Sequence, residues 1–180
     1  VNTGIDAISH AIEGYLSTRC GGPLDALALD SLALAAEYLP RVLADPADRT
    51  ARAKMVLSAL EGGLVLAACG TVVVHAIGYG LSRTWGYAHG WANGLLLAEF
   101  VEALRRKGSD RAERVAALFG NDLAGFITDT GINRDSDDHE LTDELLDEWT
   151  QLGMRSYGLV NSVAPLEHED IRAILRGSLG

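Results

Sequence analysis

The sequence predicts an all-α protein, a multi-helix bundle built as one domain over residues 1–180. Apolar residues recur at three- and four-residue steps through most of the chain, as on the buried face of amphipathic helices. No alternating strand pattern of useful length occurs, since the run TVVV at residues 71–74 is too short to decide. A hydrophobic fraction of 48% and a charged fraction of 22% are typical of a globular protein with a sizeable core.

Each helix is predicted from this periodicity and from the residues at its ends. Asn2 or Thr3 is suited to cap the first helix, and Pro23 is suited to the first position of the second. Pro40 is expected to end or kink that second helix. The predicted helices cover residues 4–17, 24–39, 49–69, 72–82, 90–106, 111–119, 121–129, 142–157 and 168–176.

The net charge limits the expected binding partners, and the cysteine content indicates the cellular compartment. Fifteen Lys and Arg residues against 25 Asp and Glu residues leave a formal net charge of -10, which repels nucleic-acid phosphates and anionic membrane surfaces. We therefore expect neither nucleic acid nor a membrane as a partner. Cys20 and Cys69 form at most one bridge, and the apolar run around Cys69 predicts reduced, buried thiols in a cytoplasmic protein. Acidic residues concentrate at positions 135–148, where we expect a solvated surface and a helix start.

Residues 62–94 form a glycine-rich apolar segment. Its first 21 residues, 62–82, carry no formal charge and are long enough to cross a bilayer. Interruption by glycines and by His75 instead indicates the buried centre of a globular domain. Eight glycines fall between Gly62 and Gly94, and two interpretations stay open: close helix packing, or approach of a ligand to bare backbone.

The five histidines divide into two groups. His139 and His168 lie among charged residues and are expected to be exposed. The other three, His10, His75 and His89, lie in apolar, glycine-bearing sequence. Each of these three taken singly is more typical of a hydrogen-bonded core residue than of a metal ligand.

The carboxylate of Asp6 favours metal binding over the core interpretation of these histidines. Asp6 and His10 are four residues apart, so one helix presents both on the same inward face. An ionised, unpaired Asp on a buried face costs several kcal/mol, whereas a divalent cation satisfies it. With His75 and His89 the set becomes one carboxylate and three imidazoles, which suits Zn, Fe, Ni or Co better than Mg or Ca.

Three segments carry a resemblance to a known family. They are GIDAISHAIEGYLS at residues 4–17, VHAIGYGL at residues 74–81 and HGWANGLLL at residues 89–97. Asp-x3-His before Ala-Ile-Glu, then a His 65 residues later and another 14 beyond it, resembles the iron-containing (group III) alcohol dehydrogenases. The tail NSVAPLEHEDIRAIL also resembles the end of that family, so the resemblance covers essentially the whole chain.

The resemblance implies an oxidoreductase with two domains. In the family, an N-terminal α/β domain binds NAD(P) and a C-terminal all-helical domain holds the metal. Carried onto this sequence, the metal ligands are Asp6, His10, His75 and His89. The implied metal is Fe(II), with Zn(II) as the alternative, acting as a Lewis acid on a small alcohol or aldehyde during hydride transfer.

Two features depart from the family pattern. The sequence begins where the helical domain of the family begins, and it contains no strand followed by a glycine-rich turn. We therefore expect the N-terminal dinucleotide domain to be absent from this chain and the chain alone to be inactive. Many family members also carry a second His four residues after the position of His75, where this sequence has Tyr79; that tyrosine is a weak candidate for a catalytic hydroxyl.

Two further functions stay open at this point. One is a stand-alone, non-catalytic helical module for metal binding or interaction. The other is a structural bundle with three histidines in its core. A helical domain without its partner domain would also expose an apolar face, so self-association into a homo-oligomer stays open as well.

Overall fold

The predicted all-α class is confirmed by a computed structural model that describes residues 1–134 and 139–180. These ranges contain nine α-helices, one short 3-10 turn and no strand. The helices are α1 (Asn2–Tyr15), α2 (Pro23–Ala44), α3 (Arg49–Cys69), α4 (Val74–Trp85), α5 (His89–Arg106), α6 (Asp110–Leu118), α7 (Leu123–Asp129), α8 (Asp143–Met154) and α9 (His168–Leu179), and the 3-10 turn is Leu159–Asn161.

Helix α1 is largely buried inside the domain. It packs against α2, α3 and α5, and its residues Ile5, Ile8 and Ile12 are fully buried. Burial of each such side chain contributes about 1.5–3 kcal/mol. Polar residues on the same helix are therefore held inside the domain by the burial of their apolar neighbours.

Two of the eight glycines allow helices to touch α1 at its backbone. A Cβ atom on Gly90 would lie 2.0 Å from the carbonyl oxygen of Asn2, and one on Gly62 would lie 3.0 Å from that of Ala7. The packing interpretation is confirmed at these two positions. The approach at Gly90 brings the first turn of α5 beside the first turn of α1, and this contact assembles the site described below.

The predicted cap of α1 is wrong, and so is the prediction that α2 ends at Pro40. Neither Asn2 nor Thr3 caps α1; Val1 occupies the N-cap position and makes no side-chain cap hydrogen bond. Because α1 starts two residues earlier than predicted, both polar residues lie inside its first turn. Helix α2 also continues through Pro40 to Ala44, since Pro40 is exposed and packing of α2 along α3 outweighs one missing backbone hydrogen bond.

The apolar segment after α3 is a helix connection rather than a strand. Val72, Val73 and Val74 are fully buried where α3 gives way to α4. No single helix in the described ranges is long and apolar enough to cross a membrane; α3 and α4 together have the required length and composition, but they are bent by 109°. Cys20 and Cys69 are free and buried, as expected.

The two histidines that lie among charged residues differ in exposure. His168 is exposed, as predicted. The prediction for His139 is wrong, because its ring is partly buried and stacks on Trp85 with a centroid distance of 5.2 Å. Of the acidic stretch, Asp143 and Glu144 lie in the first turn of α8, whereas residues 135–138 lie outside the described residues.

Candidate metal centre

Three helices bring the predicted ligands together. Asp6 and His10 lie one turn apart near the middle of α1. His75 is the second residue of α4, and His89 is the first residue of α5. The site therefore combines the middle of one helix with the N-terminal turns of two others.

The Asp6 carboxylate is the point that all three imidazoles share. His10 Nε2 lies 3.7 Å from Asp6 Oδ2, and the Nε2 atoms of His75 and His89 lie 3.8 Å and 3.6 Å from Asp6 Oδ1. The ligand atoms of Asp6, His10 and His75 all lie within 4.8 Å of one another. His89 lies beside His75, with the two ring centroids 5.1 Å apart.

The protonation states favour a metal over a set of ion pairs. Burial lowers the pKa of His10 and of His89, against the opposing effect of the nearby Asp6 carboxylate. Burial therefore favours the neutral form of both imidazoles, which has a lone pair to donate. His75 Nε2 is buried and has no hydrogen-bond partner in the described part of the chain. A buried acceptor atom without a donor, beside a carboxylate, fits a transition-metal site.

Glu13 is a site residue that sequence reasoning missed. Its side chain is fully buried, and Oε2 lies 2.5 Å from His75 Nδ1. Both oxygens also accept backbone hydrogen bonds at the start of α4, from Val72 (2.7 Å), Val74 (2.9 Å) and His75 (3.1 Å). Because Glu13 accepts from Nδ1–H, the His75 proton stays on Nδ1 and Nε2 keeps its lone pair.

Asn93 is the second residue that was missed. It is fully buried on α5, one turn after His89. Its Nδ2 lies 3.1 Å from Asp6 Oδ1 and 3.1 Å from His89 Nε2. Spacing was the available signal for both residues, since Glu13 follows His10 by three positions and Asn93 follows His89 by four, which places each beside a ligand on the same helix.

Tyr79 lies at the open side of the site. Its ring stacks on His89 with a centroid distance of 4.7 Å and an interplanar angle of 16°. The side chain is 62% exposed, so its hydroxyl is accessible from solvent. Tyr79 therefore contacts the predicted ligand His89 while its own side chain lies largely in solvent.

The comparison with known proteins decides the family. Residues 1–179 match the C-terminal part of the Fe-containing alcohol dehydrogenase family. The chain belongs to this family. It is 30% identical to long-chain-alcohol dehydrogenase 1 of Geobacillus thermodenitrificans over 96% of the chain. An iron-containing alcohol dehydrogenase from Thermotoga maritima superposes on 98% of the chain, with 34% identity and a TM-score of 0.88.

The match is to one part of longer proteins. The chain spans 48% of the Geobacillus relative and 48% of the Thermotoga structure. An NAD-dependent methanol dehydrogenase of Bacillus methanolicus is 28% identical over 74% of this chain, which spans 35% of that relative. These relatives are alcohol dehydrogenases. The chain therefore corresponds to the helical C-terminal part of proteins in an iron-containing oxidoreductase family.

Proposed function

We propose that this chain is the metal-binding half of an NAD(P)-dependent alcohol dehydrogenase or aldehyde reductase. The observation that carries the proposal is the convergence of three imidazole Nε2 atoms on one carboxylate, each within 3.8 Å of an Asp6 oxygen. A purely structural bundle gives no reason to place three imidazoles around one partly buried carboxylate. Family membership independently supports an alcohol as the substrate class.

The proposed ligands are Asp6, His10, His75 and His89, with Fe(II) as the resident metal and Zn(II) as the alternative. One carboxylate oxygen and three imidazole nitrogens are donors that both ions accept. A divalent ion bound there supplies Lewis acidity to the oxygen of an alcohol or carbonyl substrate. We assign NAD(P) binding to a separate dinucleotide-binding domain and the working compartment to the cytoplasm.

The other residues prepare the ligands for this role. Glu13 holds the Nδ1 proton of His75, so that Nε2 remains a donor toward the metal. Asn93 donates to Asp6 Oδ1 and thereby fixes the orientation of the carboxylate. Tyr79 packs on the ring of His89 and presents a hydroxyl at the open side of the site, where a substrate would enter.

Metal titration of the purified chain tests the ligand set. The metal-stripped protein is titrated with Zn(II) in competition with a chromophoric chelator, and with Fe(II) under anaerobic conditions. We expect one ion per chain, with binding lost in Asp6→Asn and in His75→Gln. His168→Gln is the matched control, because His168 is exposed and remote in sequence from the four ligands. Binding below about 0.1 equivalent by a folded wild-type chain would contradict the proposal.

A second experiment tests the assignment as half of an enzyme. The metal-loaded chain is mixed with NADH and a panel of short aldehydes, and absorbance at the nicotinamide band is followed. We expect no steady oxidation, because cofactor binding is assigned to another domain. Steady turnover by this chain alone would refute the assignment of cofactor binding to another domain.

A further inference from the structure

A second feature adjoins the metal centre: an open cavity of about 520 Å³. His75 and Tyr79 form part of its wall, so the cavity and the metal centre share a side chain from the proposed ligand set. Arg19 and Arg155 also line it. Its volume is in the range of small-molecule sites, about 300–1,000 Å³.

Three chain connections, tied together by hydrogen bonds, build this cavity. The connection after α1 is joined to the 3-10 turn, where the Thr18 amide donates to Asn161 O at 2.6 Å. The segment after α8 is joined to the α3–α4 connection, where the Ser156 hydroxyl donates to Val72 O. Arg19 adds a hydrogen bond from Nη2 to Ala68 O at 3.2 Å. The walls that carry the two arginines are therefore fixed to the connection that precedes His75.

The charge of the cavity is opposite to that of the protein. Of its thirteen described lining residues, none is Asp or Glu, whereas two are arginines. Six other arginines each have a carboxylate oxygen within 3.8 Å: Arg41, Arg83, Arg105, Arg106, Arg111 and Arg172. Arg19 and Arg155 have no such partner among the described residues. Two guanidinium groups without a carboxylate partner therefore give this cavity a positively charged lining on a chain of net charge -10.

We propose that this cavity binds the anionic end of the substrate, so that the enzyme acts on a short alcohol or aldehyde carrying a carboxylate or a similar oxyanion. This inference rests on the proposed function, because His75 belongs both to the wall of the cavity and to the proposed ligand set. Guanidinium groups bind planar oxyanions through paired, charge-assisted hydrogen bonds. The hydroxyl and amide groups of Thr71, Ser156 and Asn161 supply further polar partners in the same wall.

The test compares two probes of equal length on the purified 180-residue chain. The probes are 4-hydroxybutyrate and 1,4-butanediol, titrated separately and followed by the backbone amide resonances of Thr71 and Gly158. We expect the carboxylate to bind about tenfold more tightly than the diol, because it gains charge-assisted hydrogen bonds. Equal affinities for the two probes would overturn the proposal.

Variants identify the groups responsible. Arg155→Gln is expected to reduce the preference to about threefold or less, and Arg19→Gln is expected to act in the same direction. Arg114→Gln is the matched control, because Arg114 is also exposed and without a carboxylate partner in the described ranges but does not line the cavity. Unchanged preference in both cavity variants would contradict the assignment of the arginines.

Two further measurements distinguish a substrate anion from a cofactor phosphate, and the anion site from the metal site. Inorganic pyrophosphate is titrated as a probe for a cofactor phosphate; if it binds with the same arginine dependence while 4-hydroxybutyrate does not bind, the anion belongs to the cofactor and the substrate assignment is refuted. The titrations are repeated on metal-free chain. The carboxylate preference is expected to persist there, so a failure of metal binding is recognised independently of a failure of the anion site.

Discussion

Glu13→Gln is the substitution that tests the centre most directly. The Glu13 carboxylate accepts four hydrogen bonds: from the amides of Val72, Val74 and His75, and from His75 Nδ1. Glutamine keeps the shape of the side chain but replaces one acceptor oxygen with an NH₂ group, which only donates. Two of the four donors must then face another donor.

The expected losses of stability and metal affinity depend on which pair of donors loses its acceptor. If the NH₂ group faces the amides of Val72 and Val74, two buried N–H groups are unpaired, at a cost of about 1–3 kcal/mol each. If it faces His75 instead, one backbone N–H is unpaired and the imidazole proton shifts to Nε2, which blocks the lone pair needed for the metal. We therefore expect the free energy of unfolding to fall by about 1–6 kcal/mol and the metal affinity to fall about 10–100-fold.

Two assays on the same preparation measure these effects. Urea unfolding of the metal-free chain gives the change in stability, and Zn(II) competition against a chelator gives the change in affinity. Glu61→Gln is the control, because Glu61 is a buried carboxyl on α3, only 9% exposed, whose pKa is raised by burial. It should leave the metal affinity unchanged. If the two variants behave alike in both assays, the role assigned to Glu13 is refuted.

Three other predictions concern packing, ion pairing and pH. In Gly78→Ala the new Cβ would lie 2.1 Å from Asn93 Oδ1, so we expect the amide to move and Zn(II) affinity to fall about tenfold; unchanged affinity in a chelator competition would argue against the amide's role. Arg111→Gln removes two hydrogen bonds to Asp25, of 2.7 and 2.9 Å, and should lower the free energy of unfolding in urea by about 1–3 kcal/mol, with no decrease counting against it. Burial raises the pKa of the Glu61 carboxyl, so the folded state binds the carboxyl proton more tightly than the unfolded chain does. The free energy of unfolding of wild type relative to Glu61→Gln should therefore fall as the pH rises above 4.5. A difference that is constant with pH would contradict this.

The proposed ligand set shows how much of the site can be predicted from residue spacing alone. Asp6 and His10 share a helical face because the α-helix repeats every 3.6 residues, about the four positions between them, and the structure has both on α1. The meeting of this pair with His75 and His89 depends instead on how α4 and α5 pack. That packing is set by contacts such as Gly90 against Asn2 O, which are far apart in sequence.

Glu13 marks where sequence reasoning stopped. A glutamate on an otherwise apolar helical face is visible in the sequence, but its four donors come from residues 72–75, about sixty positions away. Its role as the acceptor for the start of α4 becomes apparent only when that helix start is in place. The two cavity arginines also could not be paired from the sequence. Arg19 follows α1 and Arg155 follows α8, and hydrogen bonds between these distant connections bring them together.

By itself the sequence determined the helical class, most helix positions and the pairing of Asp6 with His10, because these depend on local periodicity and on burial of apolar side chains. Only the tertiary structure decided that helix α2 continues past Pro40, that His139 packs on Trp85, and that a positively charged cavity opens beside His75. Those outcomes depend on contacts between distant segments, whose energies exceed the local preferences of individual residues.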